Sequence, residues 1–329
     1  MKIAIIGGGW VGCHLAYKLK GTHDVNLFEK NNLLFKETSY NNQNRLHLGF
    51  HYSRNHKTRQ MCKDTFSKFM DEYGFLTKEV PNNFYCIPNT KSFIDYVTYL
   101  EIFRDFDKEI TDVKYNDVEG CINTGERHID FSKASDFFNE ELKDIVVNRN
   151  VTKNELIELS NEYEMVINAT NNHIKHSSRN NSFYELTISL LYKKIKDTNF
   201  DSLTLVDGEF FSIYPYKNDV YTLTDVEHTP IRKFNSVSKL NSFVKTINQD
   251  LIDKKISRME KKVKHYLPEF NSHYEYYGHF LSTKSKIISM SDERYPIIDK
   301  KDNIINCFTG KIQGIYIIEN YIQNEIINR

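Results

Sequence analysis

Neither sign of charge predominates in this 329-residue chain, where 44 lysines and arginines balance 44 aspartates and glutamates. A chain without net charge has no strong overall field, which argues against recruitment of nucleic acid or of an anionic membrane. No apolar run is long enough to span a bilayer, so no membrane insertion is expected. There are only six prolines, with no low-complexity tract, internal repeat or flexible linker. Any domains are therefore expected to be interleaved, with the chain crossing between them several times. The five cysteines, Cys13, Cys62, Cys86, Cys121 and Cys307, are scattered and include no CxxC pair. Reduced, mostly buried thiols are the expectation, with no disulfide frame and no metal site. The first strand starts at once, so no leader is expected and a cytoplasmic location follows by default.

Glycine is also scarce, thirteen in all, yet Gly7, Gly8, Gly9 and Gly12 crowd into six positions. The apolar run Ile3-Ala4-Ile5-Ile6 enters Gly7-Gly8-Gly9-Trp10-Val11-Gly12, and a helical pattern from Cys13 to Leu19 follows. In such a strand–turn–helix unit Gly7 permits the tight turn, Gly9 lets the backbone reach a pyrophosphate, and Gly12 lets the helix lie against the strand. The helix N-terminus then offers its free N–H groups to the phosphates. A second strand, Val25-Asn26-Leu27-Phe28, ends at Glu29, where a carboxylate hydrogen-bonds an adenosine ribose. An unmodified 2′-hydroxyl suits Glu29, so FAD or NAD fits better than NADP. The alternative, ordinary turn glycines, leaves the strand–turn–helix–strand–acid order unexplained.

The length suggests about two domains. Cys62, Phe66, Phe69, Met70 and Tyr73 lie on one helical face, after which Pro81-Asn82-Asn83 breaks the pattern. A strand is predicted at Phe84–Pro88 and a helix from Ser92 to Phe106. Asp130 caps a further helix through Leu142, and short strands follow at Ile145-Val146-Val147 and from Met165 to Thr170. From Phe183 to about Thr229, alternating segments such as Leu203–Val206 and Val220–Leu223 predict a separate antiparallel sheet. One charged helix is expected from Ser238 to Leu267. Tyr274, Tyr276, Tyr277 and Phe280 form an aromatic run that suits either a pocket wall or a sheet surface.

Together, Gly7–Gly12 with Glu29-Lys30, the returning Val166-Ile167-Asn168-Ala169-Thr170 and the terminal Gly310-Lys311-Ile312-Gln313-Gly314 resemble FAD-dependent oxidoreductases of the D-amino-acid-oxidase superfamily. Thr38 to Tyr52 resembles the flavin-contacting loop of FAD-dependent glycerol-3-phosphate dehydrogenases, with His47, Gly49 and Tyr52 matching. The resemblance implies an α/β chain. A Rossmann-like FAD-binding domain, a parallel sheet flanked by helices, spans 1–80, 128–182 and 284–329. It is interleaved with a substrate domain, 81–127 and 183–283, built on a mostly antiparallel sheet. Non-covalent FAD is implied, with cofactor contacts from Gly7, Gly9, Trp10, Val11, Gly12, Glu29 and Lys30 at the dinucleotide end. Asn44, Arg45, Leu46 and Gly49 belong to the flavin loop; Val151, Ala169, Thr170, Gly310, Lys311, Ile312 and Gln313 complete the set. Two departures stand out. Asn171 replaces the usual glycine after Ala169-Thr170, and His51 stands where an arginine is expected.

In that superfamily a C–H bond beside an amine or hydroxyl is held over the flavin, and a hydride passes to N5. His47 and His51 are candidate proton acceptors, because imidazole changes charge near neutral pH. At strand-like spacing Arg45, His47, Gly49 and His51 would share a face. Arg294 is a candidate clamp for a carboxylate or phosphate, Lys311 a stabiliser of negative charge on reduced flavin, and Lys284 a group over the flavin face. For each of these the alternative is a structural or solvated side chain. The expected substrate is small and polar, an amino acid, amine or hydroxy acid, and anionic if these cations serve it. Two other readings remain open: a flavin-dependent sugar-nucleotide mutase, although its twin-glycine stretch is missing after Glu29, and an FAD-binding scaffold without catalysis.

Overall fold

Alternation along the short apolar strands assigns their side chains to two different cores. A computed structural model describes residues 1–175, 182–287 and 293–328, so 176–181, 288–292 and 329 of the expected FAD-binding segments lie outside the described residues. Lys2–Ile6 pairs in parallel with Asp24–Glu29 on one side and Met165–Asn168 on the other. Val146–Asn148 and Ile304–Phe308 extend the parallel sheet outward, and Ile297–Lys301 closes one edge antiparallel. Ile3, Ile5, Leu27 and Ile167 face a core shared with the helices Trp10–Leu19, Phe131–Glu141 and Ile315–Ile327. Ala4, Ile6, Phe28 and Val166 face the opposite core, filled by Leu156 and Leu159. Strand order reverses about Lys2–Ile6, so the carboxyl ends of the strands open a crevice of the kind that receives a dinucleotide.

The second, nine-stranded sheet runs in the order Pro230–Phe234, Ser182–Lys194, Val220–Asp225, Phe211–Lys217, Ser202–Leu205, Asn83–Pro88, Val118–Thr124, Lys108–Thr111. Tyr274–Ile287 pairs along the other edge of Ser182–Lys194. All its pairings are antiparallel except Ser202–Leu205 with Asn83–Pro88. Helix Gln249–Tyr266 covers one face through Ile252, Met259, Val263 and Tyr266. A third sheet of three short strands, Arg45–Leu46, Arg127–Ile129 and Thr77–Lys78, joins the loops between the two larger ones.

The fold corrects several sequence expectations. The single charged helix from Ser238 to Leu267 is two helices, Val237–Val244 and Gln249–Tyr266, because Asn248 accepts from Leu251 N and caps a new start. The helix expected from Ser92 to Phe106 is only Tyr96–Ile102, capped by Asp95. Lys153–Glu162 is a helix that hydropathy alone did not reveal. Its signal is the reciprocal box in which Thr152 Oγ1 accepts from Glu155 N and Glu155 accepts from Thr152 N. Replacing Thr152 by alanine is expected to lower stability by about 1 kcal/mol in denaturant titration, with unchanged cooperativity.

Cys86 and Cys121 are not free thiols: they form a disulfide. The register of Asn83–Pro88 against Val118–Thr124 sets the two residues directly opposite, with Cα atoms 4.1 Å apart. Nothing in a 35-residue separation signals that register. The pair removes the compositional argument for a reducing compartment. Cys13, Cys62 and Cys307 are buried free thiols. Among the described residues no helix is long and apolar enough to cross a membrane.

Candidate active site

Four chain segments reach the crevice at the carboxyl ends of the parallel strands. The first is the glycine turn. A Cβ on Gly12 would lie 1.9 Å from the Gly7 carbonyl oxygen, so helix Trp10–Leu19 approaches its strand at a distance only glycine allows. Glu29 ends the second strand, buried, with Oε2 accepting from Gly8 N at 2.7 Å and Oε1 from Asn31 N at 2.9 Å. At the helix N-terminus Trp10 N donates to Ser39 Oγ at 3.1 Å. The Trp10 ring lies elsewhere, in the core against Phe35, Phe69 and Phe138, so only its backbone serves the crevice. Val11 packs partly against the same core. Lys30 pairs with Glu37 at the surface.

The second and third segments complete this end. Val151, just past Val146–Asn148, is buried beside Leu156 and Val166. Ala169 O and Thr170 Cα crowd Gly7 from the returning strand, and Thr170 Oγ1 donates to Asn168 Oδ1 at 2.7 Å. Asn171 has φ +51°, the left-handed backbone that asparagine tolerates better than most residues. The departure from glycine there leaves the turn intact.

The fourth segment, Thr309–Gly314, meets the loop 44–52. Lys311 Nζ lies 2.7 Å from His47 Nε2 and above the Tyr52 ring, 5.1 Å from its centroid. Gln313 Nε2 donates to the His47 carbonyl, and Ile312 packs partly against the first core. Gly310 is crowded by Arg294, whose backbone N donates to Thr58 Oγ1. The two glycine-bearing ends of the chain therefore close on one crevice.

The loop is not an extended strand. Only Arg45–Leu46 is strand, and the chain turns where Tyr52 N donates to Gly49 O. Gly49 has φ +115°, and a Cβ there would lie 2.9 Å from the Arg59 carbonyl. The neighbour that demands glycine is thus helix His56–Tyr73. Asn44, at φ +53°, holds the preceding turn through Tyr40 O and Asn42 O, and Leu46 is fully buried. Arg45 is also buried. Its guanidinium donates to Tyr85 Oη, Thr204 Oγ1 and Ser212 Oγ and lies 3.9 Å from the Tyr214 ring centroid. Arg45 is committed to the antiparallel sheet, which leaves its neighbours to face the crevice.

Sequence reasoning missed Glu126. Its buried carboxylate accepts from Leu48 N at 2.8 Å and Tyr85 Oη at 2.7 Å, and lies 3.4 Å from His47 Nδ1 and 3.8 Å from Arg45. Burial opposes its ionisation, but facing His47, Arg45 and Tyr85 hold the carboxyl down to about 2. Burial, then Lys311, brings His47 down to about 4, so its imidazole is neutral at pH 7. His51, its ring 6.0 Å from that of His47, is driven well below its ordinary value by burial and then Lys311; its Nδ1 has no hydrogen-bond partner among the described residues. Burial, with Arg294 and Lys284 nearby, lowers Lys311 to about 7. Burial, then Lys286 and Arg294, lowers Lys284 to about 8.

Of the aromatic run, Tyr274 is core and Tyr277 is exposed, whereas Phe280 stacks on Tyr216, which stacks on Phe131. That stack joins the antiparallel sheet to the start of helix Phe131–Glu141. The residues present fit FAD: a turn with no room for Cβ atoms, a buried carboxylate one strand over, and cations beside a neutral imidazole pair.

Comparison with known proteins agrees with this geometry. A family model described as FAD-dependent oxidoreductase (DAO) matches residues 2–84. The chain is 33% identical over 328 residues to the FAD-dependent monooxygenase FPY4 of Fusarium mangiferae, covering 96% of this chain and 88% of that protein. It is 26% identical over 361 residues to the FAD-dependent monooxygenase kojA of Aspergillus flavus, covering 96% and 83% respectively. Among solved structures, glycine oxidase from Geobacillus kaustophilus superposes with a TM-score of 0.70 at 9% identity, covering 100% of this chain and 95% of that one. L-alpha-glycerophosphate oxidase from Mycoplasma pneumoniae superposes with a TM-score of 0.66 at 15% identity, covering 97% and 92%. The structural likenesses establish the fold, and the near full-length match to FPY4 establishes more: this chain belongs to the FAD-dependent oxidoreductases, enzymes of the D-amino-acid-oxidase type whose cofactor is FAD.

Proposed function

We propose that this enzyme oxidises a small anionic substrate at a C–H bond beside an amine or hydroxyl, with hydride transfer to flavin N5. The observation that carries the reading is the convergence of Lys311, Lys284 and Arg294: Arg294 packs against Gly310, next to Lys311, and both lysines are lowered by burial first and then by cationic neighbours that include Arg294. Such clustering costs energy unless an anion offsets it. The chemistry supplied by bound FAD is two-electron oxidation. Segments 1–80, 128–182 and 284–329 hold the cofactor on this reading, while 81–127 and 183–283 shape the substrate side. The attachment is non-covalent: Cys307 is buried, its thiol pushed up to about 12 and unreactive.

Arg294 pairs with the substrate anion through its planar fork, and Lys311 places positive charge where negative charge develops. His47 has Lys311 at hydrogen-bond distance on one side and the Glu126 carboxylate 3.4 Å away on the other, so it orients Lys311 and takes no proton. His51, neutral and with an unpartnered ring nitrogen, accepts the proton from the substrate amine or hydroxyl.

A second reading rests on the names of FPY4 and kojA, both FAD-dependent monooxygenases. Dioxygen is then the second substrate: one of its atoms enters the product and the other leaves as water, the two electrons for that reduction coming from a separate donor of the nicotinamide class. Anaerobic mixing of the yellow holoenzyme with amino acids and hydroxy acids is expected to bleach the flavin. No bleaching by any of them, together with 18O incorporation from labelled dioxygen, would replace the first reading by the second. Sugar isomerisation seen only after prior flavin reduction would indicate a mutase.

A further inference from the structure

The same centre contains a relay, Glu126–His47–Lys311, buried at Glu126 and His47 and half-buried at Lys311, that none of the comparisons assigns. We propose that Glu126 is a positioning residue: its carboxylate fixes His47 as the Nδ1–H tautomer, turns Nε2 towards Lys311 as an acceptor, and pins the flavin loop through the Leu48 and Gly49 amides.

Each ring nitrogen has one neighbour. Nδ1 faces Glu126 Oε1 at 3.4 Å, and Nε2 faces Lys311 Nζ at 2.7 Å. An ammonium has only donors and a carboxylate only acceptors, so a neutral ring between them is favoured with its proton on Nδ1; at 3.4 Å the carboxylate acts on that proton through its charge, and Nδ1 completes no hydrogen bond among the described residues. The opposite tautomer would aim two N–H donors at each other on one side and two lone pairs on the other. Glu126 is itself over-determined. Oε1 accepts from Leu48 N at 2.8 Å and lies 3.4 Å from Gly49 N, while Oε2 accepts from Tyr85 Oη, which also receives Arg45 Nη1 at 2.7 Å. The Gln313 amide holds the other side of the loop by donating to the His47 carbonyl.

The charged and titratable groups facing this relay are Arg45, Tyr85 and His51 around Glu126 and His47, and Cys62, Arg294 and Lys284 around Lys311. Burial keeps His47 neutral down to about pH 4, so between there and about pH 7, where Lys311 still carries its proton, the relay holds one arrangement. Glu126 thus does for His47 what a carboxylate commonly does for an imidazole whose other nitrogen is in use.

The inference concerns the centre read above as catalytic, but its test needs no substrate, so its failure is distinguishable from failure of that reading. The holoenzyme, labelled with 15N-histidine, is expected to show His47 as the Nδ1–H tautomer at pH 6, where Lys311 is protonated, assigned by its loss in His47→Asn. In Glu126→Gln the Nδ1–H population is expected to fall towards an even mixture. FAD, titrated into the apoprotein by fluorescence quenching, is expected to bind about tenfold more weakly, the scale of a lost charge-assisted hydrogen bond. An Nε2–H tautomer in the unaltered holoenzyme would overturn the proposal even if Glu126→Gln does not fold. A folded Glu126→Gln with the original tautomer and FAD affinity would overturn it as well.

Discussion

Gly12→Ala is expected to yield protein that is colourless after purification and less stable by about 3 kcal/mol or more, the upper end for forced overpacking. The added methyl would lie 1.9 Å from the Gly7 carbonyl oxygen and 3.1 Å from its carbon, both backbone atoms of the turn itself. No rotamer change relieves a contact with backbone. Helix Trp10–Leu19 would have to lift from Lys2–Ile6, moving its N-terminal N–H groups away from the crevice and loosening Cys13, Leu15 and Ala16 from the first core. Flavin binding and stability should therefore fall together. Gly21→Ala is the control, because a Cβ there meets nothing within 4 Å; it should stay within about 0.5 kcal/mol of the parent and remain yellow. Absorbance of the purified proteins and thermal melts of the flavin-stripped forms decide the outcome. A yellow Gly12→Ala with the parent's melting temperature would mean the turn is not the cofactor cradle.

This crevice was legible because the signals that build it are local. Gly7 to Gly12, the apolar runs on either side and Glu29 lie within thirty residues, and their periodicities follow from strand and helix geometry. Asp130 likewise announced its helix by sitting one residue before it. What was not legible depends on register between distant segments. Cys86 meets Cys121 because the register of two strands sets them opposite, one residue before that register shifts between Ile87 and Pro88, a fact absent from composition and spacing. Glu126 acquires its role from Tyr85, 41 positions before it, and Leu48, 78 positions before it, and nothing adjacent marks it as buried. Arg45 reads as a ligand contact by spacing alone. Its hydroxyl partners Thr204 and Ser212 become visible only once Ser202–Leu205 and Phe211–Lys217 are paired. The Thr152–Glu155 box is a different case, a local signal present in the sequence and outweighed by the polar stretch around it.

Lys311→Met is expected to retain the flavin yet slow its anaerobic reduction by substrate by roughly 100-fold to 1,000-fold, the scale of losing one preorganised electrostatic contact. Methionine keeps much of the stem's length and fills the space above Tyr52, so the change isolates the charge. The pH dependence follows from the direction of the shift. Lys311 falls from its ordinary 10.5 to about 7, so its cation is present below that pH and disappears as pH rises through it. If the cation stabilises developing negative charge, kcat/KM in the parent enzyme falls on the alkaline side of neutrality. An anionic substrate opposes loss of the proton, which places the corresponding limb in kcat at higher pH. Lys311→Met should show a low rate with no such limb. Lys311→Arg, whose charge persists at every accessible pH, should keep part of the rate and also lack the limb. Stability moves the other way. A lysine whose folded pKa lies below its unfolded value costs the fold nothing above about 10.5 and its full penalty below about 7. Flavin-free Lys311→Met should therefore be more stable than the parent at pH 6 and lose that advantage by pH 11. A neutral-side limb that survives in both variants would assign the titration to another group, with Lys284, lowered to about 8, the next to test.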